Sequence, residues 1–361
     1  MTSYLYIDDI ENLALGSSFL GSGGGGNPYI GALLLKTAMK RFSIDRIELI
    51  DPTNLKDDKR VICSSGMGSP TIGSEKIPNG TEYAYAVKKL ESILNEKFDY
   101  LSPIEIGGIN SIVPFIAALY LNIPVLDGDG EGRAFPELQM TTFNLYQIKS
   151  TPMVLVDERG NDIVVNSIDN NWAEKVARVV TSKFGGRGYV ANYPMNGKDY
   201  KKAAIFNSVT HAVELGKMLD TFNNTEDVEE ILAYRTLAKK LFEGKLVDLV
   251  RDNSGGFSIG YAIFKSEING ISILSRVRFQ NEYLFYDKNI NGKFIETITT
   301  PQIISIVDAE SYKPITTDKL RYGIMCKIFT IPIDGKWDKN SATELVGKEA
   351  FKLLSNFNFI K

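Results

Sequence analysis

Histidine and cysteine are scarce in this chain of 361 residues: there is one histidine, His211, and there are two cysteines, Cys63 and Cys326. A single histidine excludes a zinc site built on several His ligands. Any imidazole base would have to be His211. It sits among Phe206, Val209, Val213, Leu215 and Leu219 at helical spacing, and reads more simply as a packing or surface residue of a helix over 205–222. Two distant cysteines make neither a disulfide framework nor a metal-type spacing. Cys63, at the end of a strand, is read as a small buried hydrophobe before it is read as a nucleophile.

Long apolar runs are missing too. No stretch of 18 apolar residues occurs, so no membrane-spanning helix is expected. Residues 1–9 lack the basic and apolar parts of an export signal, and the expected location is the cytoplasm. Nor is there an excess of charge of one sign. Forty-one Lys and Arg stand against 44 Asp and Glu, a net charge of -3 with no basic stripe, so no nucleic-acid partner is expected. What is present is an ordinary globular composition, 43% hydrophobic and 24% charged, at a length that suggests two domains.

The first two thirds of the chain alternate strand-like and helix-like segments. Helices are expected over 7–20, 29–41 (with Pro28 at the first position), 81–95, 112–120, 171–183, 205–222 and 226–242. Strands are expected over 46–50, 60–63, 101–106, 123–126 and 189–192, and a hairpin over 153–166. The character changes at Gly244. From there to about Ile333 the chain becomes short strands, with Asn269-Gly270 and Asn291-Gly292 as turn signals. The expected fold class is α/β: an N-terminal layered α/β domain over 1–243, a C-terminal mostly-β, barrel-like domain over 244–335, and a C-terminal helix in 336–361 packing on the first domain. No internal repeat or low-complexity segment interrupts this plan.

Four loops could carry chemistry. Asp127-Gly-Asp-Gly-Glu-Gly-Arg-Ala-Phe-Pro-Glu-Leu138 places four carboxylates (Asp127, Asp129, Glu131, Glu137) and Arg133 among three glycines, just after an apolar strand. Open α/β sheets hold ligands at the carboxyl ends of such strands. The run partly matches a calcium-binding EF-hand loop. It fails at the twelfth position, where Leu138 stands, and a strand rather than a helix precedes it. Three carboxylates within five residues repel one another unless a cation or Arg133 offsets them.

Gly21 to Gly26 meets the dinucleotide-binding pattern literally. A helix precedes it where that pattern needs a strand, and Asn27-Pro28 replaces the Lys-Ser/Thr of a phosphate-binding loop. Two readings stand: a helix N-terminus that holds an anion or a carbonyl, and a tight turn that needs glycine. Glu105 to Ser111 puts a carboxylate in an apolar strand, followed by Asn110 and Ser111 as helix caps. A buried carboxylate needs a partner, and Arg133 is the candidate. Gly66-Met-Gly-Ser-Pro70 with Glu75 and Lys76 is the fourth loop. Gly185-Gly-Arg-Gly188 is a weaker fifth.

These loops, together with Gly244-Lys-Leu-Val-Asp248, Gly255-Gly-Phe257, Phe279-Gln-Asn-Glu282, Pro301 and Arg321-Tyr-Gly323, resemble the S-methyl-thiohydantoin desulfurase-like family over nearly the whole chain. Only Gly347-Lys-Glu-Ala-Phe351 departs from the family pattern, which usually has Gly-Pro there and a glycine after the Phe. The resemblance implies an α/β domain followed by a mostly-β domain. It also implies an enzyme of hydantoin or thiohydantoin metabolism, hydrolytic or desulfurising. Members often accompany hydantoinase and oxoprolinase-type enzymes, so the alternative is a non-catalytic ligand-binding or accessory partner of such an enzyme.

The candidate catalytic residues are Asp127, Asp129, Glu137, Glu105 and Arg133. The candidate ligand-binding residues are Gly23, Gly24, Gly25, Asn27, Gly68, Ser69, Glu75, Lys76, Asn110 and Ser111. No metal ligand is assigned and no cofactor is named. The expected partners are a small-molecule ligand and a hydantoinase-type protein, with a homo-oligomer left open.

Overall fold

The computed structural model describes residues 2–68, 72, 75–221, 228–252, 257–291 and 293–351. An eight-stranded sheet forms the first layer. Its strands are β1 (Thr2–Tyr6), β2 (Arg46–Ile50), β3 (Arg60–Gly68), β4 (Tyr100–Ser102), β5 (Val125–Leu126), β7 (Met153–Val156), β8 (Asp162–Val165) and β9 (Arg187–Asn196), β6 (Gly128–Asp129) lying outside it. They run in the order β1-β2-β5-β4-β3-β9-β7-β8. The centre, β2-β5-β4-β3, is parallel, and β1, β9, β7 and β8 extend it antiparallel. The two innermost strands, β5 and β4, are short and almost wholly buried, as parallel strands covered by helices must be.

Helices α1 (Ile10–Leu20), α2 (Pro28–Phe42), α3 (Thr81–Leu94) and α4 (Val113–Leu121) supply much of that cover, and their apolar faces share one core with the sheet. Asn27 caps α2 by accepting from the Tyr29 N–H at 3.1 Å, and Pro28 takes the first helical position, as its fixed φ favours. Two later helices are α5 (Thr142–Leu145) and α6 (Asn170–Lys183).

The second layer is an all-antiparallel, curled sheet of seven strands in the order β15-β14-β13-β12-β11-β17-β16. Its strands are β11 (Lys239–Asp252), β12 (Ile259–Ile268), β13 (Ile271–Gln280), β14 (Glu282–Ile290), β15 (Lys293–Thr299), β16 (Ile303–Asp308) and β17 (Met325–Ile331). The Asn269-Gly270 signal holds: both residues take positive φ and join β12 to β13. Of the second signal, Asn291 also has positive φ, and Gly292 is outside the described residues.

Two expected elements come out differently. The helix over 226–242 is a helix, α9 (Val228–Thr236), that stops where Leu237 turns left-handed; the next residues are already strand β11, paired with β17 from Lys239. Pairing with a strand almost ninety residues on overrides the local pattern. Likewise the helix expected over 205–222 begins with a two-residue strand, β10 (Ile205–Phe206), paired with β6. Helix α8 follows over Ser208–Thr221. The last helix, α10 (Asn340–Val346), is shorter than expected, and residues 352–361 lie outside the described set. Around it, Trp337 and Phe351 pack with Phe135 of the acidic loop and Phe285 of β14, so this segment touches both layers.

The glycine loop is the seam between the layers. Tyr283 N–H donates to the Ser22 carbonyl at 2.6 Å, and Thr317 N–H to the Gly23 carbonyl at 3.0 Å. A Cβ on Gly23 would lie 2.4 Å from the Tyr283 ring, and one on Gly24 would lie 2.0 Å from the Glu282 carboxylate. Both residues are glycine because the β domain comes too close for anything larger.

Candidate active site

A cavity of about 100 Å³ opens at the carboxyl ends of β3 and β4, where loops from both layers meet. Strand β3 contributes Ser65 to Gly68. The segment after β4 contributes Glu105 and Asn110, and the loop after β5 contributes Glu131 and Phe135 to Leu138. Antiparallel β9 starts beside the end of β3, with Arg187 opposite Gly68, and so adds Arg187, Val190 and Asn192. Gly25 and Gly26 come from the seam, Arg178 from α6, and Asn281 and Glu282 from the β13–β14 bend.

Three buried carboxyls share this space. Glu105 accepts from Asn110 Nδ2 and keeps Oε2 without a partner; it is 5% exposed. Glu131 accepts from the Phe135 N–H at 2.8 Å, and its own carbonyl accepts from Trp337 Nε1 at 2.9 Å. Glu282 accepts from the Gly25 N–H at 3.3 Å, keeps Oε2 unpartnered, and is 3% exposed.

Burial disfavours the charged form of each, and Glu105 and Glu131 also feel neighbouring carboxylates as like charges. Burial, and then Glu282, hold Glu105 well above the usual carboxylate range; burial, and then Glu105, do the same for Glu131. Burial pushes Glu282 up to about 8, with Arg133 and the Gly25 N–H pulling the other way. At neutral pH this corner of the pocket therefore presents carboxylic acids, which can donate a proton or a hydrogen bond.

Two arginines also line the cavity. Arg178 pairs with Glu174 at 2.7 Å and donates to the Pro136 carbonyl at 3.0 Å. Arg187 is different. It is 8% exposed, donates to Tyr83 Oη at 3.4 Å, leaves Nε unpartnered, and has no carboxylate partner among the described residues. A buried guanidinium without an anion is costly unless a ligand supplies one.

Among the sequence candidates, Glu105, Glu137, Gly25, Gly68 and Asn110 line the cavity. Asn110 accepts from the Gly66 N–H at 2.8 Å and so ties the β3 loop to Glu105. Glu137 is half-buried and accepts from Gln139 Nε2 at 2.6 Å. The remaining candidates have other work. Asp127 accepts from the Val209 and Thr210 N–H groups at 3.0 and 3.1 Å, capping α8. Asp129 accepts from the Ile106, Glu131 and Gly132 N–H groups, which shapes the loop, and burial raises it to about 6.

Arg133 does not reach the cavity lining. Its side chain, 0% exposed, donates to the carbonyls of Ala134, Gln302 and Tyr283 at 2.9, 2.7 and 2.9 Å. The expected pairing of Arg133 with Glu105 is thus replaced by backbone ties across the two layers. Gly23 and Gly24 serve the seam, and Asn27 is a helix cap. Ser111 donates to the Gly108 carbonyl at 2.7 Å. Glu75 is exposed, while Lys76 pairs with Glu158 at 2.9 Å and donates to the Phe184 carbonyl. Ser69 is outside the described residues.

Residues that the sequence did not single out include Arg178 and Asn192, and Glu282 stood only in the Phe279-Gln-Asn-Glu282 motif of the family resemblance. Arg187 stood only in the weakest loop, and Glu131 only as one charge of the acidic run. Cys63 is fully buried, with its thiol pushed up by burial, and His211 lies elsewhere, on the surface between α8 and α9. Among the described residues no three His, Cys, Asp or Glu side chains are grouped to hold a metal ion, and no helix is long and apolar enough to cross a membrane.

The role of Asp127 makes a direct prediction. Asp127→Ala removes an N-cap and should lower the urea-unfolding free energy by about 1–2 kcal/mol. An equal-stability variant would mean that the α8 terminus finds another partner.

No curated protein matches the sequence. A crystal structure of a protein from Chromobacterium violaceum, determined in a structural-genomics programme, shares the fold: the TM-score is 0.78 over 97% of both chains, at 22% identity. Residues 8–167 match the family model described as the S-Me-THD-like N-terminal domain, and residues 168–359 the one described as the S-Me-THD-like C-terminal domain. With both halves matched in order, the chain belongs to the S-methyl-thiohydantoin desulfurase-like family.

Proposed function

We propose that the cavity binds a five-membered cyclic amide of hydantoin or thiohydantoin type and hydrolyses it, releasing sulfur where the ring carries it. The carrying observation is the pairing, in one small cavity, of buried protonated carboxyls with a buried guanidinium that has no carboxylate partner among the described residues. In this reading Arg187 faces the negative charge that develops on the ring oxygen or sulfur when water adds to the ring carbon. Glu137, half-buried on the cavity wall, takes the proton from that water. A buried carboxyl, Glu105 or Glu131, returns a proton to the departing sulfur or nitrogen. The C–S or C–N bond then breaks, and a carbonyl or carboxylate remains. The family name supports the substrate class.

Purified protein should release thiol from S-methylated 2-thiohydantoins, or open the ring of hydantoins, without a second subunit. Arg187→Met should lower kcat by about a hundredfold or more with little change in the melting temperature. Full turnover in that variant would remove Arg187 from the chemistry. Tight binding with no turnover of any cyclic amide would leave a ligand-binding or accessory protein in place of the enzyme.

A further inference from the structure

Glu105 and Glu282 reach the same cavity from opposite layers. Glu105 follows β4, and Glu282 opens β14 after the bend at Asn281, whose positive φ turns the chain back. In each, one carboxyl oxygen is already engaged, by Asn110 Nδ2 in one case and by the Gly25 N–H in the other. In each, Oε2 is buried with no partner. Carboxyl oxygens left this way are costly, so they are rarely idle. The nearby cations do not reach them: Arg133 bonds backbone carbonyls, and Arg178 bonds Glu174 and the Pro136 carbonyl.

The geometry points to a two-carboxyl subsite in which Glu105 Oε2 and Glu282 Oε2, each releasing its proton to water as the ligand enters, together receive the N–H edge of a planar N–C–N group: a cyclic urea, thiourea, amidine or guanidine. This deepens, and rests on, the proposed binding of a cyclic amide. It adds that the ring is recognised by its nitrogens, and that the β domain contributes a specificity-determining side chain. Two carboxyls with free oxygens suit two donors on one rigid plane better than a single ammonium, and a cavity of about 100 Å³ admits a ring of this size. A ligand blocked at nitrogen would leave both oxygens unpaired and add methyl groups where they stand.

The test is calorimetric titration of the full-length protein with three probes: hydantoin, 1,3-dimethylhydantoin and 2-aminoimidazoline, a cyclic guanidine. Wild type, Glu105→Gln and Glu282→Gln are compared, with thermal melts confirming that each variant is folded. Wild type should bind hydantoin and the guanidine, and should bind the dimethyl compound about tenfold or more weakly. Each variant should weaken the two N–H probes, the guanidine most, and leave the dimethyl compound unchanged, a selectivity that a merely structural role would not produce. Equal affinity for hydantoin and its dimethyl derivative overturns the subsite, as does a uniform effect of the variants on all probes. Guanidine binding that Glu282→Gln abolishes, with no turnover of any hydantoin, keeps the subsite and sinks the enzymatic reading. Turnover that is indifferent to N-methylation does the reverse.

Discussion

Replacing Arg133 by methionine is expected to destabilise the protein by about 4 kcal/mol or more, a large share of the 5–15 kcal/mol typical of a folded domain. The side chain has the longest reach of any in the seam. Its Nε donates to Ala134 of its own loop, Nη1 to Gln302 just before β16, and Nη2 to Tyr283 at the start of β14. Methionine fills much of the volume and provides no donor. Three carbonyls then lose this donor, and those of the buried Ala134 and Tyr283 do so at about 1–3 kcal/mol each. Lysine should rescue only part of the loss, because one ammonium cannot span carbonyls that a planar fork reaches together. Burial lowers the Arg133 guanidinium to about 10, still charged at neutral pH, with Glu282 and Glu131 holding it up. The urea midpoint of each variant is the measurement. A methionine variant with wild-type stability and abolished turnover would return Arg133 to the catalytic role that its place in the acidic loop first implied.

That reassignment shows what the sequence could and could not carry. The acidic run after β5 was legible as one wall of a cavity because strand-end loops on parallel strands converge by topology, and Glu105, Asn110, Glu137 and Gly68 do line the same cavity. Which side chains turn inward was not legible. Asp127 and Asp129 carry the same charge as Glu131, yet their shorter side chains bond nearby N–H groups: one caps α8 some eighty residues away, the other holds the loop itself. The glycine cluster had two readings, a helix N-terminus that holds an anion or a carbonyl and a tight turn; positive φ at Gly23, Gly25 and Gly26 fits the turn, and the close approach of the β layer to Gly23 and Gly24, from more than 250 residues on, was in neither. Glu282 was beyond reach for the same reason. Its neighbours in sequence read as an ordinary β-hairpin, and only the docking of that hairpin on the seam places its carboxyl in the cavity. Arg187 had a signal, a cation among glycines. Its weight comes from β9 running antiparallel to β3, which brings the start of β9 to the end of β3.

Stability should fall as pH rises from about 5 to 9, and Glu282→Gln should remove much of that fall. Unfolded, a glutamate titrates near its ordinary value of 4.5; folded, Glu282 holds its proton to about 8. Between those values the native state binds more protons than the unfolded one, so stability decreases with pH. The contribution is fully retained below the unfolded value and is lost on passing through the folded one. Glu105, raised by burial and then by Glu282, and Glu131, raised by burial and then by Glu105, act with the same sign. A gap of this size corresponds to several kcal/mol for Glu282 alone, since each pKa unit is worth about 1.4 kcal/mol. Glutamine keeps the shape and the bond from the Gly25 N–H but cannot ionise, so the variant should be as stable as wild type near pH 4 and more stable near pH 8.5. Urea unfolding at those two pH values reads the difference directly. Turnover should also decline toward alkaline pH, as the acid that feeds the leaving group, Glu105 or Glu131, loses its proton. A wild-type stability profile flat from pH 5 to 9 would mean that these carboxyls are already ionised in the folded protein. The cavity would then be an anionic site, and the proton for the leaving group would have to come from elsewhere.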